Sequence, residues 1–240
     1  MLDLLSTTKS HSFIYTTFSS TKSSRKMLSF TLLSTLVASA AALSGEATFY
    51  GGNTQGGMCS FSTYKIPSGI YGTALSDSNW DGSEACGGCV KVTGPSGNSI
   101  TAMIVDQCPG CGTNHLDLFE DAFAELADAS KGIIDVTWDY VECPISSALE
   151  VHMKEGVSAN WFSAQVVNGN KRTADLQVSS DGGSTWTSGL TRKDYNFFEL
   201  SSGTGSDTVA VKIESIDGDQ VIVKGISVTG GNSQLASGNY

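Results

Sequence analysis

The chain has 240 residues, with 14 Lys plus Arg against 24 Asp plus Glu and a formal net charge of -10 at pH 7. That sign argues against nucleic acid and anionic membranes as partners, since both are polyanions recognised through clustered Lys and Arg. A neutral polymer fits the acidic balance better than a polyanion does.

In chain order, the first segment reads as lying outside the fold. Residues 1–26 are rich in Ser, Thr and Lys and read as an upstream extension, with Met27 the better initiator. Arg25-Lys26 gives a basic start, Leu28 to Val37 a short apolar run, and Ala38-Ser39-Ala40-Ala41-Ala42 small-residue cleavage sites. That order is a secretory signal peptide, and its apolar run is too short to span a bilayer. Residues 1–42 are therefore extension plus signal peptide, and the mature protein is expected to be extracellular. No later segment is long and apolar enough to be transmembrane.

The next stretch is mainly β. Ala47-Thr48-Phe49-Tyr50 is a short strand before the Gly51-Gly52 turn. Val90 to Thr93 and Ser99 to Val105, joined by Gly94-Pro95-Ser96-Gly97-Asn98, read as a hairpin. One helix is predicted after Asp117, where Phe119, Ala122, Phe123, Leu126 and Ala127 recur at helical spacing. Glu120 and Asp121 suit its first turn, and Gly132 is expected to end it. Gly132 to Trp138 alternates as a closing strand. All six cysteines, Cys59, Cys86, Cys89, Cys108, Cys111 and Cys143, fall in this half. An even count behind a signal peptide reads as three disulfides. Cys86-Gly87-Gly88-Cys89 and Cys108-Pro109-Gly110-Cys111 also resemble a zinc ribbon, a reading that a secreted context opposes.

Cys143-Pro144 closes the cysteine-bearing region, and a domain boundary is placed near residue 145. Beyond it, short strands alternate with turn signals: Leu149 to Met153, Phe162 to Val167, Asp175 to Ser179, Thr208 to Ile213 and Val221 to Val228. That spacing predicts a β-sandwich of immunoglobulin size. Trp186 or Trp138 is expected to fill its core.

Two aspartates stand out. Asp106 ends the apolar run Ile100 to Val105, and Asp117 lies in Asn114-His115-Leu116-Asp117-Leu118-Phe119. Carboxylates brought close by one turn can bind a polar polymer or shift each other's pKa for acid chemistry. Read alone, Asp117 is as well explained as an N-cap, Thr48 as a β-former and His115 as a solvated loop residue.

With these residues in view, the chain resembles the two-domain microbial expansins. The matching segments are Gly45-Glu46-Ala47-Thr48-Phe49-Tyr50-Gly51, the strand ending Val105-Asp106, Leu116-Asp117-Leu118 and the helix Ala122 to Leu126. In the second half they are Lys154-Glu155-Gly156, the Trp161 strand and Asp194-Tyr195-Asn196-Phe197. The resemblance implies a six-stranded double-psi β-barrel over residues 43–144, followed by an immunoglobulin-like carbohydrate-binding domain over 145–240. It implies a secreted monomer that binds cellulose and other cell-wall β-glucans and loosens plant cell walls without hydrolysis, with no cofactor and no metal. Asp117, Asp106 and Thr48 are then groove residues, and Trp161, Tyr195, Lys154 and Trp80 contact the polymer. By the same analogy the disulfides are Cys59–Cys86, Cys89–Cys143 and Cys108–Cys111.

The barrel is shared with family-45 endoglucanases, whose acid aspartate matches Asp117. Inverting hydrolysis needs a second carboxylate to activate water, on the first strand in those enzymes. Here that strand reads Glu46-Ala47-Thr48-Phe49-Tyr50, with no aspartate at the matching place. The alternative is a glycan-cleaving enzyme, an endoglucanase or lytic transglycosylase, using Asp117 as general acid. The platform also departs from bacterial relatives: Asn160 stands where a first tryptophan is usual, and Phe162 replaces it only if the strand register slips.

Overall fold

The structure is a computed structural model that describes residues 42–188 and 190–240. The segment read as extension plus signal peptide, residues 1–42, lies outside the described residues except for Ala42. The described chain belongs to one compact unit.

Six strands close into a barrel. They are β1 (Leu43–Tyr50), β2 (Tyr71–Ser76), β3 (Cys89–Thr93), β4 (Ser99–Cys108), β5 (Leu116–Phe119) and β6 (Ile134–Val141), in the spatial order β1-β5-β2-β4-β3-β6. The pairs β1–β5 and β2–β4 are parallel, whereas β2–β5, β3–β4, β3–β6 and β1–β6 are antiparallel. This is the double-psi barrel of the expectation. The predicted hairpin is β3–β4, and β6 alternates buried and exposed residues from Ile134 to Trp138. Trp138, Phe61, Phe123, Leu116, Leu118 and Ile104 fill the interior, each at most 1% exposed.

Two short helices flank the barrel, α1 (Asp77–Trp80) and α2 (Glu120–Leu126). On α2, Ala122, Phe123 and Leu126 face the core. The helix stops at Leu126 and does not run on to Gly132, because Ala127 is already extended. Gly132, at φ 68°, ends a separate turn of residues 129–131 whose first amides are capped by Asp128.

The remaining strands form a two-sheet sandwich. One sheet orders β10 (Thr191–Arg192), β11 (Phe198–Leu200), β8 (Phe162–Val167), β7 (Glu150–Met153) and β14 (Ser233–Leu235). The other orders β13 (Gln220–Ser227), β12 (Thr208–Ser215) and β9 (Thr173–Ser179). The core between them is aliphatic with Phe162 and Phe198. No tryptophan lies at its centre: Trp138 belongs to the barrel core, and Trp186 is half-buried beneath Lys212. On β8 every second side chain (Phe162, Ala164, Val166) packs into this core. Gln165, between them, donates instead to Cys59 O of the barrel at 2.8 Å. Tyr64 Oη to Asn168 Oδ1 and Cys143 N to Asn170 O tie the two layers further.

All six cysteines are paired, Cys59–Cys86, Cys89–Cys143 and Cys108–Cys111. No thiolate remains for the zinc-ribbon alternative.

Candidate functional site

The register of the barrel builds the site. Asp117 on β5 is paired with Thr48 on β1 and with Ala74 on β2, and Ala74 is paired in turn with Asp106 on β4. Thr48, Asp117, Ala74 and Asp106 therefore form one row across four strands. Their neighbours Ala47, Leu116, Leu118 and Val105 are buried in the interior. Alternation along each strand turns Thr48, Asp117 and Asp106 outwards, and all three are half-buried.

Asp117 is held from two directions. Thr73, inside the barrel, donates its hydroxyl to Asp117 O at 3.1 Å. Thr48 Oγ1 donates to Asp117 Oδ1 at 2.6 Å and lies 2.9 Å from His115 Nε2. Thr48 has one hydroxyl hydrogen, and Asp117 receives it, so His115 must be the donor in the second bond. His115 is thus a buried member of the site, not the solvated loop residue expected; it is 8% exposed. No local pattern marks it, because His115 precedes β5 and its contact with Thr48 joins residues 67 apart in the chain. The N-cap alternative for Asp117 also falls, because Phe119 holds the N-cap position of α2. Asn114, at φ 56°, fixes the turn entering β5. Its side chain bonds Asn79 and Ser44 O, and its carbonyl accepts from Trp138 Nε1 at 2.8 Å.

Asp106 has other commitments. Its Oδ1 accepts from Met58 N at 2.7 Å and from Gln107 N at 2.8 Å, and its Oδ2 faces Tyr50 Oη at 3.5 Å. Burial first, and then the Asp106 charge, pushes the Tyr50 phenol above its usual range, so it stays a donor. The sequence reading did not single out Tyr50, although it follows Thr48 by two residues on β1. A cleft of about 540 Å³ opens two register rows from Asp117, against Phe119, Gly52 and Tyr71. Gly52 and Gly72 both pack on the Phe119 ring, where an added Cβ would come within 2.9 and 2.5 Å of it.

Trp80 is a correction. It was expected to contact polymer, but it is 5% exposed and packs in the barrel core. The acidic loop around it suggested a surface position, whereas α1 turns the indole inwards.

In the sandwich, Lys154 Nζ stands 5.5 Å from the Tyr195 ring centroid and 5.1 Å from that of Phe197. The two rings are 6.1 Å apart, tilted by 46°. The Tyr195 hydroxyl donates to Glu199 Oε1, and Lys193 Nζ pairs with Glu199 Oε2 at 3.2 Å. Burial and the Glu199 carboxylate push the Tyr195 phenol up to about 12. Trp161 is half-buried at the margin of the sandwich core and bridges Ser158. Phe162 is fully buried, so the register does not slip to offer it as a second platform ring. Among the described residues no group of three His, Cys, Asp or Glu side chains is arranged to hold a metal ion.

The arrangement is a shallow polar row on the barrel and a cation-topped aromatic pair on the sandwich. Such surfaces exchange hydrogen bonds with sugar hydroxyls and stack on sugar rings. Comparison with known proteins agrees with that chemistry. The family model described as lytic transglycolase matches residues 72–138. The chain is 32% identical over 186 residues to expansin-like protein 5 of Dictyostelium discoideum, covering 74% of this chain and 76% of that one. It is 31% identical over 181 residues to expansin-YoaJ of Bacillus subtilis, covering 74% and 75%. Among solved structures, a point mutant of the Clavibacter michiganensis expansin in complex with cellohexaose superposes with a TM-score of 0.73 at 32% identity, over 82% of this chain and 96% of that one.

Proposed function

The chain belongs to the expansin family, and from that premise we propose that it binds cellulose or a related β-glucan and loosens plant cell-wall networks without cutting them. In this reading it acts outside the cell as a monomer and needs no cofactor. Residues 43–144 supply the groove and residues 145–240 the carbohydrate-binding domain. Support comes from the cellohexaose complex of a similar expansin.

The observation that carries the proposal is the environment of Asp117. Its strand neighbour on β1 is a neutral threonine. The other carboxylate of the row, Asp106, already accepts two backbone N–H bonds on one oxygen and faces Tyr50 with the other. Inverting hydrolysis needs a base with a free lone pair, about 6.5–9.5 Å from the acid, to activate water. Asp117 is equipped to grip a hydroxyl, and Asp106 is engaged in bracing the Met58 loop. Tyr195, Lys154 and Trp161 would hold the polymer on the sandwich.

A second reading keeps a specific support. Asp106 shares the row with Asp117, and the matched family model carries a glycan-cleaving description. The deciding experiment measures creep of wall strips or paper strength alongside reducing ends and soluble fragments released from glucan and peptidoglycan. Loosening without reducing ends or fragments, abolished in Asp117→Asn, is the expected result. Time-dependent release of either that disappears in Asp117→Asn would replace this reading with the enzymatic one.

A further inference from the structure

We propose that Arg192 is a positioning residue of the groove: it locks the sandwich to the barrel and, through Asn196 and the Met58–Cys59 backbone, sets where Asp106 stands. The inference rests on the reading of the barrel face as the glycan site.

Arg192 lies on the two-residue strand β10, yet its guanidinium is spent on both layers. Nε donates to Ser83 Oγ at 3.3 Å and Nη2 to Ser83 O at 2.9 Å, both on the barrel side. Nη1 donates to Thr173 O at 2.7 Å and Nη2 to Asn196 Oδ1 at 3.0 Å, within the sandwich. The planar fork also stands 5.0 Å over the Phe198 ring. All four partners are neutral oxygens. Burial lowers the Arg192 pKa to about 10. A half-buried cation without a carboxylate in salt-bridge contact is a poor source of stability, and its use lies in fixing geometry.

Its barrel anchor is an unusual turn, closed locally by Glu84 N to Asp81 O at 3.2 Å and Cys86 N to Ser83 O at 3.0 Å. Asp81, Gly82 and Ser83 run at φ 44°, 61° and 74°, a left-handed stretch that non-glycine residues rarely adopt. Ser83 is fully buried and returns a hydrogen bond to Lys193 O at 2.8 Å. The turn is thus pinned from the sandwich.

The second leg runs to the groove. Asn196, 4% exposed at φ 62°, takes the Arg192 bond on Oδ1 and donates through Nδ2 to Cys59 O at 3.4 Å. Gln165 Nε2 joins it there, 2.8 Å from Cys59 O. The preceding residue, Met58, gives its N–H to Asp106 Oδ1 at 2.7 Å. An unbroken chain of contacts therefore connects Arg192 to a groove carboxylate on the other layer.

The test uses the full chain with Arg192→Met, Arg192→Lys, Asn196→Ala and the Met–Ala double variant. Amide hydrogen exchange is read at Met58 and along β3, and cellohexaose affinity is measured in parallel. Each single variant is expected to speed Met58 exchange about tenfold while β3 stays protected. Cellohexaose binding should weaken about three- to tenfold, and the double variant should be no worse than the stronger single one, since both cut one path. Arg192→Lys keeps the charge but loses the fork, so it should behave like Arg192→Met; it also carries the test if the Met variant fails to fold. Unchanged Met58 exchange would overturn the proposal. So would uniform acceleration across β3, which marks a general stabiliser, or additive effects in the double variant. A wild type that ignores cellohexaose would defeat the glycan reading, while the exchange measurements would still judge the strut.

Discussion

Thr48 has one hydrogen and two partners, and that arithmetic organises the site. Its hydroxyl serves Asp117, so His115 must present an N–H to it. Thr48→Val keeps the shape and removes both bonds, leaving Asp117 and His115 short of a partner. A stability loss of about 1–3 kcal/mol is expected, with wall loosening reduced as far as in Asp117→Asn. Thr48→Ser should retain both properties; thermal unfolding and creep assays on the three proteins would check this. On the sandwich, the proposed function gives the Tyr195 ring to the polymer, while its hydroxyl donates to Glu199. Tyr195→Phe should therefore bind cellulose almost normally, whereas Tyr195→Ala should lose about tenfold, or about 1.4 kcal/mol, in a depletion isotherm. Equal losses in the two variants would mean that the hydroxyl, and not the ring, is what matters.

At the level of elements, β14 is an exposed three-residue edge strand that pairs with β7. Its register places Ser233 beside His152, whose Nδ1 lies 2.9 Å from Ser233 Oγ. Burial lowers the His152 pKa, against the opposing pull of Glu150 and Glu155. Unfolded, the imidazole titrates near about 6.5, so below that pH the unfolded state binds more protons and the fold loses stability as pH falls. Melting temperatures between pH 7 and 5 should decline, and His152→Gln should remove part of that slope. Among the elements read from the sequence, β6 and β13 carry one wet face and show it as alternation, whereas β8 is buried on both faces and was read from its apolar run between turn signals. β2 was missed because Gly72 to Ser76 are all buried, which erases alternation. β10, β11 and β14 have two or three residues each, too few to carry a pattern. The parallel pairs β1–β5 and β2–β4 join distant segments that no local pattern records. The groove roles expected of Asp117, Asp106 and Thr48 came from family resemblance. The His115 link, the Tyr50 contact and the Arg192 strut depend on tertiary placement that spacing does not encode, and the same blindness put buried Trp80 on the surface.

For the molecule as a whole, covalent restraint is confined to the barrel. Cys59–Cys86 and Cys89–Cys143 close separations of 27 and 54 residues, and Cys108–Cys111 one of 3. Replacing either long bridge with an alanine pair should cost about 3–4 kcal/mol in denaturant unfolding, and replacing the short one about 2 kcal/mol or less. The sandwich has no bridge of its own, so it is held to the barrel by Arg192, Gln165 and Asn196. The three bridges also never cross: the first closes before the second begins, and the third nests inside the second. A chain oxidised from its N-terminus can seal Cys59 to Cys86 before Cys89 becomes available, so the neighbouring thiols at 86 and 89 need not compete. Recovery from the reduced, denatured protein, where all six thiols are free together, should then gain from a reshuffling catalyst that oxidation during synthesis does not need.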